Sequence, residues 1–326
     1  MTNSFLPWDE IHIPDHHDDY TVRLVKDCGI IPSYWGRDKT GRCLFLITLE
    51  GDHRAQFLEQ KIILNEIQVD LQQAVKTGYQ NFVLMLERDA DSDLFRALCE
   101  SLCESIKDLS ESDVALAVAL AHLKRWKTFM AGKNARTLSP EVVRGLFAEL
   151  CFLRQLYAKT LSHKDAITAW YGLDKIQQDF IYYDRAVEVK SLYGTDRNTV
   201  QISSEDQLES VQDHLFLVIY LLNDHADPLQ ADSLNGLVKK IENELVDSEL
   251  KDEFLDRLGN FGYSPIPEYE KPMFSISRIQ PYRVISDFPK IVRSELMGGI
   301  KKVSYQIELE YIETFTCDMN EVLGEF

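Results

Sequence analysis

Short apolar runs with strand-like alternation fill the N-terminal third of the chain: TVRLV (21–25), RCLFLITLE (42–50), KIILNEIQVDLQ (61–72) and NFVLMLE (81–87). Their Val, Ile, Leu, Thr and Phe content predicts strands, with the polar GRDKTGR (36–42) as a hairpin turn. The spacing then becomes helical. DLFRALCESLCESI (93–106) predicts a helix that closes this small sheet, and DVALAVALAHLKRWKTFMAG (113–132) a longer one, apolar on most faces near its start. Lys124, Arg125 and Lys127 near its end complement the helix dipole, and Trp126 is expected in the core.

Gly132 to Ser139 is a polar connection and the best boundary, dividing the chain into a β-rich region, 1–132, and a second domain, 133–326. Ser139-Pro140-Glu141 has the order N-cap, first helical position, first-turn acid. The helix that follows carries Leu146, Leu150, Leu153 and Tyr157 as one buried stripe, with Glu149 beside it. QDFIYY (178–183) and AVEVKSL (186–192) predict an antiparallel pair turning at Asp184-Arg185, and TVQIS (199–203) a third strand. Ser203 or Ser204 is expected to cap a helix starting near Glu205, before the fully buried strand LFLVIYLL (215–222). Two amphipathic helices, 234–245 and 248–259, precede a loop marked by Pro265, Pro267 and Pro272. FSISRI (274–279), YRVI (282–285) and VSYQIELEYI (303–312) then return to strands, with Gly298-Gly299 as a turn rather than a phosphate cradle. The expected class is α/β (α+β), a core of helix, three strands, helix and strand.

The hairpin is where the chemistry collects. A two-residue turn at Asp184-Arg185 makes Ile181 face Glu188 and Asp179 face Lys190, so Asp179, Glu188 and Lys190 share one face. Phe180, Tyr182, Val187 and Val189 share the other. A slip of one residue would split the trio. Two carboxylates on neighbouring strands suit Mg2+ or Mn2+, and a Lys beside them can orient or help deprotonate a water. The blander alternative is an ordinary surface salt bridge.

The order Glu149 on a helix, then Asp179, then Glu188-Val189-Lys190 resembles the PD-(D/E)XK nuclease superfamily, in particular the restriction-endonuclease-like "PD-(D/E)XK motif" proteins of bacteria. GLFAELCFLRQL (145–156), Trp170 to Gly172, EVKS (188–191) and VQISSEDQL (200–208) carry the likeness, with a weaker echo over 288–309. Gln178 stands where that motif often has Pro. The resemblance implies a restriction-endonuclease-like αβββαβ core with a mixed sheet. It also implies a metal-dependent endodeoxyribonuclease used in restriction or defence, acting as a homodimer. In that scheme Asp179, Glu188 and the main-chain carbonyl of Val189 hold Mg2+, with Mn2+ able to substitute. Lys190 positions the attacking water, Glu149 supports from a second shell or second metal site, and Gln207 assists.

Charge pulls the other way. The chain has a formal net charge of −18, which opposes a nucleic-acid partner. Residues 205–270 hold 16 acidic and 4 basic residues, two-thirds of that excess, whereas 123–154 and 271–305 each hold 7 basic and 2 acidic. Local basic surface is enough for phosphate contact, with pronounced salt sensitivity. The competing function is a non-catalytic DNA-binding or assembly subunit, with a methyltransferase- or helicase-type protein as its candidate partner. No nucleotide-binding motif is visible.

Six cysteines without a CxxC pair are expected to be reduced core thiols. His12, His16, His17, Asp15, Asp18 and Asp19 are expected to form a solvated terminus rather than a metal site. The N-terminal stretch lacks an apolar export segment, and the longest aliphatic run falls short of the about 20 residues a membrane span needs. The expected location is cytoplasmic, with no membrane partner.

Overall fold

A computed structural model describes residues 6–14, 20–60, 62–64, 66–87, 91–131, 137–171, 178–194 and 198–324, with only the backbone for 128–131. Asp15, His16, His17, Asp18, Asp19, Gly172 and most of the 132–139 connection lie outside them. The chain forms two compact units, Met1–Arg136 with Gly262–Pro267, and Thr137–Phe261 with Glu268–Phe326. The division thus falls at 136/137 instead of 132/133, and 262–267 groups with the first unit.

In the first unit, β1 (Tyr20–Leu24), β2 (Ser33–Asp38), β3 (Cys43–Glu50), β4 (Ile67–Gln73) and β5 (Tyr79–Leu86) form an antiparallel sheet in the order β1-β2-β3-β5-β4. The short helix α1 (Arg54–Glu59) interrupts the strands, and α2 (Ser92–Ile106) and α3 (Ser112–Ala131) follow. β2 reads SYWGRD, whose Gly, Arg and Asp disguise a strand; the hairpin turn therefore tightens to the residues between Asp38 and Cys43. Buried Asp38 holds it, accepting from Thr40 N–H (2.9 Å), Arg42 N–H (2.9 Å) and Arg42 Nε (2.7 Å). Trp8 packs on Trp35 and Phe95 at ring distances of 5.0 and 5.3 Å, and Trp126 is fully buried.

The expectation of reduced thiols fails at one pair. Cys28 and Cys103 form a disulfide, with Cα atoms 5.1 Å apart and a sequence separation of 75. The helical spacing of Cys99 and Cys103 concealed this, because the partner of Cys103 comes from the distant turn after β1. Cys43, Cys99, Cys151 and Cys317 are free.

The second unit opens with α4 (Pro140–Lys159) and α5 (His163–Ala169). The Ser139 hydroxyl caps α4 through Val142 N–H, with Pro at its first turn. Residues 146–153 of α4 are all buried, so the helix is enclosed on most faces instead of along one stripe; Tyr157 is only partly buried. Four strands, β6 (Phe180–Tyr182), β7 (Arg185–Tyr193), β9 (His214–Asp224) and β10 (Phe274–Arg283), form a mixed sheet in the order β10-β9-β7-β6. β7 and β9 run parallel and the other pairs antiparallel. β8 (Thr199–Ile202) leaves this sheet and pairs with β11 (Tyr305–Glu308). Helices α6 (Leu234–Glu244), α7 (Ser248–Phe261) and α8 (Met319–Leu323) complete the unit. Two separate strands were expected over 274–285; β10 is one strand with a register shift between Ile276 and Arg278.

One face of the mixed sheet packs on α4, with Phe152 on Phe180 (4.8 Å) and Phe147 on Phe274 (5.1 Å). The opposite face, Ala186, Leu192, Leu215, Leu217 and Ile219, packs on Val200, Ile202 and Ile307 of the two-stranded sheet. The helix expected from Glu205 is absent: residues 205–208 make a single turn before the chain enters β9. Its cause is Glu205, whose carboxylate accepts from Lys302 N–H, Val303 N–H and Arg293 and so serves a distant segment. Among the described residues no helix is long and apolar enough to cross a membrane.

Candidate active site

The hairpin turns one step earlier than the local signal suggests. Phe180 pairs with Val187, Ile181 with Ala186 and Tyr182 with Arg185, leaving Tyr183-Asp184 as the turn and Tyr183 at φ +50°. Arg185 belongs to the strand because its buried guanidinium is anchored by Asp184 and by the carbonyl of Glu321 (3.3 Å). The register therefore differs by two residues from the expected one. Glu188 and Lys190, two apart on β7, share a face in any register; a shift of two preserves parity across the pair, and position 179 falls opposite 188 instead of 190.

β6 is three residues long and β7 nine, so β7 is left with an open edge beyond Phe180. Asp179 fills it: its Oδ2 accepts from the Val189 N–H at 2.7 Å. Glu188 is 1% exposed, aligned with Leu217 of β9, and set among the apolar residues of the sheet's second face. Its Oε1 takes both Lys190 Nζ and Gln207 Nε2 at 2.6 Å. Its Oε2 is buried and has no hydrogen-bond partner. Gln207 Oε1 in turn accepts from Ser203 N–H (2.7 Å) and from Lys190 Nζ (3.4 Å).

Glu149, on α4, is buried and accepts from the indole Nε1 of Trp170 at 2.8 Å. Burial, then the charge of Asp179, lifts its carboxyl well above the usual range. Burial likewise raises Asp179 to about 6, opposed by Lys190 and the Val189 N–H. Glu188 rises to about 8 through burial and the Asp179 charge, against the pull of Lys190. For Lys190, burial works against the charge, but Glu188 and Asp179 outweigh it and hold the proton more firmly than in water. Lys190 is therefore held as a cation against the two carboxylates.

The geometry thus brings Asp179, Val189, Glu188, Lys190 and Gln207 into one connected cluster. Glu149 shares its field from α4. Among the described residues, no group of three or more His, Cys, Asp and Glu side chains is arranged to hold a metal ion, so Glu149 does not complete a three-carboxylate cage. The donors present nevertheless suit a hard divalent cation: two adjacent carboxylates, one with a buried oxygen left without a partner. An unmet buried carboxylate oxygen is costly, and a cation would relieve it.

The partners of two residues were not legible in the sequence. Gln178, buried, donates from Nε2 to the carbonyls of Asp206 (3.1 Å), Gln207 (3.3 Å) and Glu209 (2.8 Å), tying the turn of Gln207 to the start of β6. Its place beside Asp179 was visible; its partners were not. Trp170, buried at the end of α5, donates to the Glu149 carboxylate, and Tyr171 N–H donates to the Asp179 carbonyl (2.9 Å). Arg144 pairs with Glu141 and Arg154 with Glu244.

The family model described as "Putative PD-(D/E)XK family member, (DUF4420)" matches residues 6–310. The chain belongs to this family. Its α+β architecture with a mixed sheet is accordingly the nuclease-like PD-(D/E)XK fold. Proteins of the PD-(D/E)XK superfamily are generally nucleases and typically use divalent metals. In sequence, Asp179 and Glu188-Val189-Lys190 follow the D and (D/E)XK spelling, and Gln178 stands where that spelling has Pro. No curated protein and no solved structure matches the chain.

Proposed function

We propose that this DUF4420 protein is a metal-dependent endonuclease that hydrolyses phosphodiester bonds of DNA, in restriction or other defence against foreign DNA. The observation that carries the reading is Glu188: a buried carboxylate with one oxygen clamped by Lys190 and Gln207 and the other lacking any partner, beside Asp179. Mg2+ or Mn2+ held by Asp179, Glu188 and the Val189 carbonyl would supply Lewis acidity and charge neutralisation at the scissile phosphate.

The side chains have separable tasks. Lys190, kept protonated by its two carboxylates, holds an attacking water or a phosphate oxygen by donated hydrogen bonds. Gln207 fixes the rotamers of Glu188 and Lys190 together, and Gln178 fixes Gln207 through the main chain. Glu149 presents a buried carboxyl from α4, its orientation held by the Trp170 Nε1–H, that would ionise beside a bound cation. Cutting both strands calls for two copies acting together, so a homodimer is part of the proposal, as is a methyltransferase- or helicase-type partner.

A second reading is a DNA-binding or assembly subunit that does not cut. The net charge of −18 and the lack of a three-carboxylate group among the described residues favour it. Calorimetric titration with Mn2+ separates the two. The nuclease reading expects saturable binding by the wild type that is lost in Asp179→Ala; no Mn2+ binding by the wild type would overturn it.

A further inference from the structure

The loop over 290–302 is stitched to the turn that carries Gln207. Glu205, 3% exposed, accepts from Lys302 N–H (3.2 Å), Val303 N–H (2.7 Å) and Arg293 Nη1 (2.8 Å). Glu209, on the other side of Gln207, accepts from Ser294 N–H (3.2 Å). Arg293 also donates to the Ile300 carbonyl (3.2 Å), and Ile291 N–H to the Tyr305 hydroxyl (3.1 Å), which closes the loop on itself. The two acids that flank the Gln207 turn, Glu205 and Glu209, are thus engaged by the loop's own N–H groups and by Arg293.

Lys290, Lys301 and Lys302 remain outside every ion pair among the described residues, and Lys301 and Lys302 are exposed. Glu295 is the one acid between Lys290 and Lys302. Between the lysines the loop shows apolar side chains to solvent: Ile291 is 37% exposed, Met297 76% and Ile300 40%. Met297 sits against the Gly298-Gly299 turn, where Gly299 has φ +92°.

We propose that this loop is the surface that seats duplex DNA beside the Glu188 cluster, an inference that rests on the nuclease reading above. The backbone of a duplex places phosphates along both edges of a groove, with sugars and base edges between them. Cations at the two ends of the loop and an apolar tip between them match that distribution, and apolar side chains entering a groove between phosphate contacts are a known mode of seating DNA. Anchoring through Glu205 and Glu209 fixes the lysines relative to Gln207, so a phosphate held by the loop is held in register with Lys190 and Glu188.

The test is fluorescence anisotropy of a labelled duplex across a salt series in Mg2+, with Lys190→Ala as the parent so that the duplex stays intact. Adding Lys290→Ala, Lys301→Ala and Lys302→Ala together should lower the log–log salt slope by about 2–3, at about 0.9 per phosphate contact, and weaken binding by about tenfold or more. Met297→Ser should weaken binding with the slope unchanged. Circular dichroism and thermal melting should coincide for parent and variants, since the exchanged side chains are at the surface. A parent that binds with a steep slope and a triple variant that binds identically would overturn the loop assignment and leave the nuclease reading standing. A parent that binds no duplex at any salt would overturn both. Tighter binding to the single strand of the same sequence would overturn the duplex assignment.

Discussion

Replacing Glu188 by Gln should remove most of the pH dependence of stability at this site. The carboxyl titrates near 4.5 in the unfolded chain and at about 8 in the folded one, raised by burial and by Asp179. Between those values the folded state holds a proton that the unfolded state has released, so stability is greatest below pH 4.5 and is lost as pH rises toward 8. A shift of that size, at about 1.4 kcal/mol per pH unit, corresponds to a loss on the order of 5 kcal/mol once both forms are ionised. Glu188→Gln removes this titration but leaves a buried amide N–H group at the position of the partnerless Oε2, costing about 1–3 kcal/mol at every pH. The two stability curves should therefore cross: the variant weaker than the wild type at pH 5 and stronger above pH 8. A smaller slope below pH 6 should persist in the variant, from Asp179. The assay is urea unfolding in a chelator at a series of pH values. Adding Mg2+ at pH 8 should then stabilise the wild type and not the variant. Wild-type stability that is flat or rising from pH 5 to 8, or a variant curve parallel to it, would refute the reasoning.

Three other perturbations follow from the same contacts. Trp170→Phe removes the Nε1–H donor and leaves the Glu149 carboxyl buried without it, for a loss of about 1–3 kcal/mol in denaturant unfolding. Gln178→Ala frees three carbonyls of the Gln207 turn; it should cost about 2 kcal/mol and lower kcat more than it raises KM, because the substrate-facing surface is untouched. Reduction of the protein, or Cys103→Ser, opens a 75-residue loop and should destabilise the first unit by about 4 kcal/mol, read as a lower midpoint that dithiothreitol produces in the wild type and does not lower further in Cys103→Ser.

Local sequence carried much of this fold and missed what depends on distant partners. Alternation in QDFIYY and AVEVKSL assigned Phe180 and Val187 to one face and Glu188 and Lys190 to the other, because side-chain parity survives any even change of register. The turn itself was misplaced: Asp184-Arg185 looks like a turn by residue type, whereas Arg185 is bound by α8, 136 residues away. Ser204-Glu205 looks like the start of a helix for the same local reason, but Glu205 is committed to Lys302, Val303 and Arg293. Cys28 and Cys103 are 75 residues apart, so no spacing rule could pair them. Gln178, a neutral residue in a Pro position, gives no sign in the sequence that it holds the turn of Gln207. The enclosure of α4 on most faces also lay beyond a single-stripe pattern, since α5, α6 and the mixed sheet cover it from different sides.

The central claim is that the hairpin of Asp179, Glu188 and Lys190 cuts DNA, and the most direct measurement is cleavage of supercoiled plasmid and phage DNA, methylated and unmethylated, with Mg2+ or Mn2+. The account predicts nicked and linear products from the wild type, none in chelator, and none from Lys190→Ala even though that variant still binds duplex. Products formed equally by the wild type and Lys190→Ala, or by neither with any metal, would contradict it.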